Sequence, residues 1–304
     1  MYQSAEIRSI EELPVYNDVE FNATALCPAG PRMTWQSAMF AEVGIHIETI
    51  FTRMRYQEIQ YRGTIYYGLV LPHGDPVRFQ GLLYQTPFIV CWQGLRPTEF
   101  DYVVEAGTQI YVLEVPRAVA EHRGWTEFGA PIRLTKSDAL NSYIRSLETC
   151  LILGQSKSAT NPNPVFNALA QELERLMGDA LFCSGREEVF SKSDHGHWKI
   201  VTAAEALLMD DNNAGITIQE LCRLLGVPRR SLYAAFEKQI GLGPGKFQTL
   251  IRLHRLRSLL LNTPYEKGVV SKLVGEAGFN HFGRTSVAYR RFFGESPIDT
   301  VKRS

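Results

Sequence analysis

The chain contains no uninterrupted apolar run approaching the roughly 18 residues that a membrane-spanning helix needs. Its first residues, MYQSAEIRSIEELP, have no basic start followed by an apolar stretch. These absences make a soluble, cytoplasmic protein with no membrane partner the expectation. Cysteine is sparse: the residues at 27, 91, 150, 183 and 222 are odd in number, scattered and never spaced CxxC. That excludes a zinc finger or a disulfide framework as the organising principle and suits a reducing compartment. A G-x-S-x-G turn, a P-loop and a dinucleotide fingerprint are also missing, and no cofactor is called for.

What is present begins with a charge imbalance. At 304 residues with 45% hydrophobic content, the chain exceeds one ordinary core and has apolar residues enough for two domains. The formal net charge is zero, yet residues 217–304 hold 15 Lys and Arg against 6 Asp and Glu, while the rest holds 17 against 26. A C-terminal part of net charge +9 thus follows a body of −9. Such a basic domain suits a polyanion, because each Lys or Arg that neutralises a phosphate releases condensed counterions. A solvated basic face is the plain alternative.

Between about residues 60 and 116, TIYYGLVL, FIVCW and QIYVLEV are rich in β-branched and aromatic residues and are separated by the turn signals LPHGDP, WQGLRP and EAGT, a pattern that predicts the short strands of a sandwich or barrel. Residues 36–60 are compatible with helix or strand. From Ser137 the period becomes helical, with Leu140, Ile144, Leu147 and Leu151 in one segment and Val165, Leu169, Leu173, Leu176 and Ala180 in the next. These two amphipathic helices either cover an open face of the β domain or pair across a dimer. GQSKSATNPNP reads as the connector between them, and SGREEVFSKSDHGH (184–197), polar and without periodicity, as an interdomain linker.

One small unit is written twice. LCRLLGVPRRSLYAAFEKQIGLGP (221–244) and LVGEAGFNHFGRTSVAYRRFFGESP (273–297) share their punctuation: Leu221 and Gly226 match Leu273 and Gly278 at an offset of 52, Gly241 and Pro244 match Gly294 and Pro297 at 53. In the first copy Thr217 and Glu220 form a capping box, Gly226 stands where a turn needs a positive φ, and Pro228 opens a second helix. That helix buries Leu232, Ala235 and Phe236 and leaves Arg229, Arg230, Tyr233 and Ala234 outward. A helix, a glycine turn and a second helix with a basic leading edge is the helix-turn-helix arrangement, whose second helix enters the major groove of DNA. Between the copies, residues 244–261 predict a helix with Ile251, Leu256, Leu259 and Leu260 buried and Arg252, Arg255 and Arg257 mostly outward. At 1.5 Å per residue it is about 27 Å long, close to the ~34 Å between successive major grooves on one face of DNA. One chain can then read two groove segments.

Residues from about 199 to 304 resemble the DNA-binding domain of AraC/XylS-type transcriptional regulators, through L-C-R-L-L-G-V-P, L-Y-A-A-F, G-L-G-P-G-K-F, the arginine-rich linker helix, and A-G-F with Y-R-R-F-F-G-E-S-P. The second copy is most similar to the branch containing ethanolamine-operon regulators, through Asn280-His281-Phe282-Gly283. It departs from the pattern at Val269, which stands in the place of Thr217, and at Thr285, which stands in the place of Leu232. By motif position, Arg230, Tyr233 and Ala234 would face base edges with Arg229 near phosphate. Asn280, His281, Gly283, Arg284 and Ser286 are the candidates of the second unit. For each, a phosphate contact or a solvated side chain is the alternative.

The resemblance implies an α+β protein: an N-terminal cupin-like or jelly-roll β-barrel that senses a small molecule (1–135), a helical dimerisation and linker region (136–197) and an all-α domain with two helix-turn-helix motifs (198–304; motifs 217–239 and 269–293). It implies a ligand-responsive activator, most simply a homodimer, that binds double-stranded DNA and works with RNA polymerase. The effector would lie inside the barrel among aromatic residues such as Tyr66, Trp92 and Tyr111, most of which serve equally as core. The competing reading is a small-molecule-binding or metal-dependent cupin-type enzyme with a helical appendage. Such a site needs clustered histidines and a carboxylate; the strand region offers only His46-Ile-Glu48, His73 and His122, and Asp194-His195-Gly196-His197 falls in the linker. The reading adopted is therefore a regulator and not an enzyme.

Overall fold

The structure is a computed structural model that describes residues 2–7, 19–27, 32–40, 43–60, 64–80, 82–92, 98–125, 131–155, 163–183 and 192–303. The chain divides into two compact units, one mainly from residues up to Val189 and one mainly from Phe190 onward.

Among the described residues the first unit holds two sheets. The larger runs in the order β1 (Tyr2–Ile7), β3 (Met33–Phe40), β4 (Val43–Ile50), β11 (Gln109–Pro116), β6 (Thr64–Leu71), β9 (Phe88–Trp92) and β12 (Ile132–Arg133). The smaller runs β2 (Val19–Ala25), β5 (Met54–Gln60), β10 (Thr98–Val104), β7 (Val77–Phe79) and β8 (Leu82–Tyr84). Every neighbouring pair in the larger sheet is antiparallel. The expected barrel is not closed, since each sheet keeps its own edge strands, β1 and β12 in one and β2 and β8 in the other.

Side chains alternate across a pleated strand, and the larger sheet uses both faces. One face presents Ile45, Ile47, Ile65, Tyr67, Leu69, Leu113 and Val115 to the helices that follow. The other presents Val70, Phe88 and Ile110, which line a small apolar cavity with Val77, Phe79 and Tyr102 of the second sheet. A short α1 (Arg117–His122) leads out of β11. Then α2 (Asp138–Gln155) and α3 (Asn163–Cys183) lay Leu140, Leu147, Leu151, Leu169, Leu173 and Leu176 on the sheet. Of the two roles left open for these helices, covering the β domain is the one seen. The approach is close: a Cβ on Gly154 would come within 2.6 Å of the Ala38 Cβ.

From Lys192 onward the described residues of the second unit form helices and the turns between them. These are α4 (Lys192–Met209), a 3-10 turn at Asp211–Asn213, α5 (Ile218–Leu225), α6 (Arg229–Gln239), α7 (Pro244–Leu261), α8 (Val269–Glu276), α9 (Phe282–Phe293) and α10 (Pro297–Val301). Residues 184–197 are thus not all linker. Residues 184–191 lie outside the described residues, and Asp194-His195-Gly196-His197 belongs to the first turns of α4. That helix has little local periodicity at its start and is held by the burial of Val201, Ala204 and Leu208 further along.

Candidate nucleic-acid interface

The first helix-turn-helix unit is set by local chemistry. Thr217 Oγ1 accepts from the Glu220 backbone N–H at 3.2 Å while Glu220 accepts from the Thr217 N–H at 2.9 Å, so α5 starts with both orphan donors satisfied. The Thr217 N–H, with the Thr217 hydroxyl donating to the same carboxylate oxygen at 2.8 Å, holds the Glu220 carboxyl below its ordinary pKa. Gly226 ends α5 at φ 64°, the left-handed conformation that glycine alone adopts without steric cost. Leu221, Leu232, Ala235 and Phe236 are then fully buried. Arg229, Arg230, Tyr233 and Ala234 are exposed on α6. Arg229 Nη2 donates to the Tyr233 hydroxyl at 3.2 Å with its guanidinium 5.2 Å from the ring centroid, and that hydroxyl raises the arginine further above its ordinary pKa. The pair makes a positively charged edge at the start of α6.

In the second unit α8 starts at Gly268 without a side-chain cap, as Val269 in the place of Thr217 leads one to expect. Gly278 forms the turn at φ 87°, and α9 follows with His281 as N-cap. The added residue falls in this turn: the N-caps Pro228 and His281 stand 53 apart, whereas Gly226 and Gly278 stand 52 apart. Thr285 is buried in the place of Leu232, its Oγ1 donating to the His281 carbonyl at 2.9 Å, so a polar residue fills a core position with its hydrogen bond made. Asn280, His281, Gly283 and Arg284 are exposed, whereas Ser286 lies partly buried on the flank of α9. Val287, 70% exposed, escaped the sequence reading. An offset of 53 identifies it as the counterpart of Ala234, and 52 points to Ser286 instead.

The linker-helix arginines are not outward. Arg252 donates to the carbonyls of Ala214 at 2.9 Å and Ile216 at 2.7 Å, and Gln248 donates to Ile216 at 2.8 Å. Burial, with Arg255 nearby, lowers the pKa of Arg252. Arg255 donates to Leu208, Met209 and Asp210 at 2.9–3.2 Å and pairs with Asp211 at 3.1 Å, closing the C-terminal end of α4. Arg257 pairs with Glu295 at 2.9 Å. These side chains are held by backbone carbonyls and by the carboxylates of Asp211 and the half-buried Glu295, a preference that the guanidinium fork supports. Gly278 reaches the same place from the other unit: a Cβ there would stand 1.9 Å from the Ala214 oxygen. The two helix-turn-helix motifs of the C-terminal unit are thereby packed together around α7.

Residues 221–303 match the family model described as a helix-turn-helix domain. The XylDLEGF operon transcriptional activator 1 of Pseudomonas putida is 30% identical over 135 residues, 44% of this chain and 38% of that protein. The C-terminal unit is an AraC/XylS-type DNA-binding domain. The probable thc operon regulatory protein of Rhodococcus erythropolis is 30% identical over 87 residues, 29% of this chain and 26% of that protein. The solved structure of a probable AraC family transcriptional regulator from Rhodopseudomonas palustris is 30% identical and covers 34% of this chain and 96% of that one, with a TM-score of 0.30. The chain spans less than half the length of either curated relative.

Upstream of the AraC/XylS-type domain, the effector candidates Tyr66 and Tyr111 lie on opposite faces of the larger sheet. Tyr66 shares its sheet face with Val70, toward the second sheet. Tyr111 faces the helices, its hydroxyl donating to Glu148 Oε1 at 3.0 Å, and burial together with that carboxylate raises its pKa. Trp92 pairs with Tyr66 in strand register. The space between the sheets also holds His46, whose Nε2 lies 2.9 Å from Glu114 Oε2 and whose ring stacks on Trp35 at 5.8 Å. No group of three or more potential metal ligands occurs among the described residues, nor any helix long and apolar enough to cross a membrane. Burial pushes the Cys150 thiol up to about 11, which keeps it protonated and unreactive at neutral pH.

Proposed function

We propose that this chain is a sequence-specific DNA-binding transcription regulator that activates its target genes in response to a small molecule and reads two successive major-groove segments with one polypeptide. The observation that carries the reading is the pairing of two helix-turn-helix scaffolds in one packed domain, each offering an exposed, arginine-bearing second helix. The word "activator" in the name of the Pseudomonas putida relative supports the direction of control. Arg229, Arg230, Tyr233 and Ala234 would serve the first groove segment, and Asn280, His281, Gly283, Arg284 and Ser286 the second. The effector would bind between the sheets of the sensor (1–135), near Tyr66 and Trp92, and not at Tyr111. The region 136–197 would dimerise the protein, with Ile152 and Leu153, exposed near the end of α2, as part of the contact. RNA polymerase is the partner of the bound activator, in the cytoplasm.

Selection of binding sequences from random DNA tests the reading. The full chain and a fragment of residues 195–304 should enrich the same motif, with a footprint of about two helical turns per chain. Residues 1–190 should enrich none. Failure of the full chain to enrich any sequence, or enrichment by the N-terminal fragment, would overturn it.

A further inference from the structure

The geometry points to Val287 as a base-reading residue of the second recognition helix, one that senses the C5 methyl group of a thymine in the major groove. The inference rests on the DNA-binding reading and adds a residue and a chemistry to it. On α9 the buried stripe is Thr285, Tyr289 and Phe292. At 3.6 residues per turn, Val287 lies diametrically opposite that stripe, at the centre of the outward face. Arg284, Arg290 and Arg291, all exposed, surround it on the same helix. Its exposure of 70% is the largest among the large apolar side chains of the described residues. An apolar side chain ringed by three cations suits no apolar protein surface, whereas it suits a polyanion that carries one apolar group.

A second observation is independent of the first. Gly283, one turn before Val287 on the same face, occupies a helical position where glycine disfavours the folded state relative to alanine. The protein's own packing does not require it, because a Cβ built there meets nothing within 4 Å, and its φ is not positive. The missing side chain matters only to something that approaches from outside, and it allows the helix backbone to sit closer to that surface. Valine neither donates nor accepts a hydrogen bond. Among the base edges exposed in the major groove, the thymine methyl is the group it can recognise. Arg230, which occupies the position of Gly283 in the first unit, has the opposite capacity and suits guanine.

The test uses the full chain and the sequence selected as above, with each thymine replaced in turn by deoxyuridine, which lacks only the methyl group. At one position in the second half of the site the replacement should weaken wild-type binding about four-fold, the effect of one buried methyl group. Val287→Ala should bind the thymine and deoxyuridine versions of that position equally, while Arg230→Ala should keep the preference. Gly283→Ala should raise the melting temperature of the free protein yet weaken binding. The proposal is overturned if Val287→Ala preserves every deoxyuridine effect, or if it weakens both versions of the site equally. A protein that selects no sequence at all defeats the DNA-binding reading instead, and the two failures are distinguishable.

Discussion

At the centre of its exposed face the first recognition helix carries Ala234, with Arg230, Glu237 and Lys238 around it; the second carries Val287, with Gly283, Arg290 and Arg291 in the corresponding places. Beneath those faces the two helices are nearly interchangeable. Leu232 and Thr285 are both buried, as are Phe236 and Tyr289. The two copies therefore match at their core positions and differ on the exposed face. The copies also differ in what holds them. The first starts on a complete capping box and turns through a glycine with open space around it, whereas the second lacks the cap and turns through a glycine pressed against Ala214. Local chemistry sets the first unit, and contact with its neighbour sets the second.

The sharpest way to break that comparison is at the two turn glycines. Gly278→Ala should destabilise the C-terminal unit by about 3 kcal/mol or more, since strain at positive φ is joined by a collision with backbone. Gly226→Ala should cost about 1 kcal/mol, through φ alone. Hydrogen exchange of amides in α5–α9 as a function of urea measures both, and equal costs would dissolve the distinction. Next, Arg255→Ala should cost about 2–3 kcal/mol of stability by leaving the last carbonyls of α4 without their charged donor. DNA discrimination by the folded fraction should stay unchanged, which competition binding reads separately. Arg230→Ala acts on the exposed face of the first unit. It should lose about 1–3 kcal/mol at the selected site and relax preference at one or two base pairs, with the fold intact. A uniform loss across all sequences would make Arg230 a phosphate contact. Smallest is Thr217→Ala, which should cost about 1 kcal/mol by removing the cap of α5. Gly268 offers the second unit no equivalent side chain to lose, so a thermal melt of Thr217→Ala measures an asymmetry between the copies.

Much of the C-terminal unit was legible from sequence because its signals are local. The capping box, the proline starts and the period of Ile251, Leu256 and Leu260 mark helices within a residue or two of where they lie, while Leu259, expected in the core, is only half-buried. Residues 36–60 resisted because β4 is buried on both faces, so the alternation that identifies a strand is absent from Val43 to Ile50. The targets of Arg252 and Arg255 lie 36 to 47 residues away in backbone carbonyls, which no pattern of side chains reveals. Val287 was hidden by a single inserted residue: only the folded turn shows that the insertion precedes α9 and not its end. Tyr66 and Tyr111 look alike in sequence, and only strand register puts them on opposite sides of one sheet.

That sheet has a consequence for genetics. In β4, β6 and β11 the odd-numbered residues Ile45, Ile47, Ile65, Tyr67, Leu69, Tyr111 and Leu113 pack under the helices, and the even-numbered residues Tyr66, Val70, Ile110 and Glu114 turn toward the second sheet. Codon parity along these strands is therefore a physical coordinate. If the effector binds between the sheets as proposed, saturation mutagenesis scored for altered inducer preference would mark alternate codons. The codons between them would register chiefly as lost protein, so the mutational map alone would show which side of the sheet the inducer occupies.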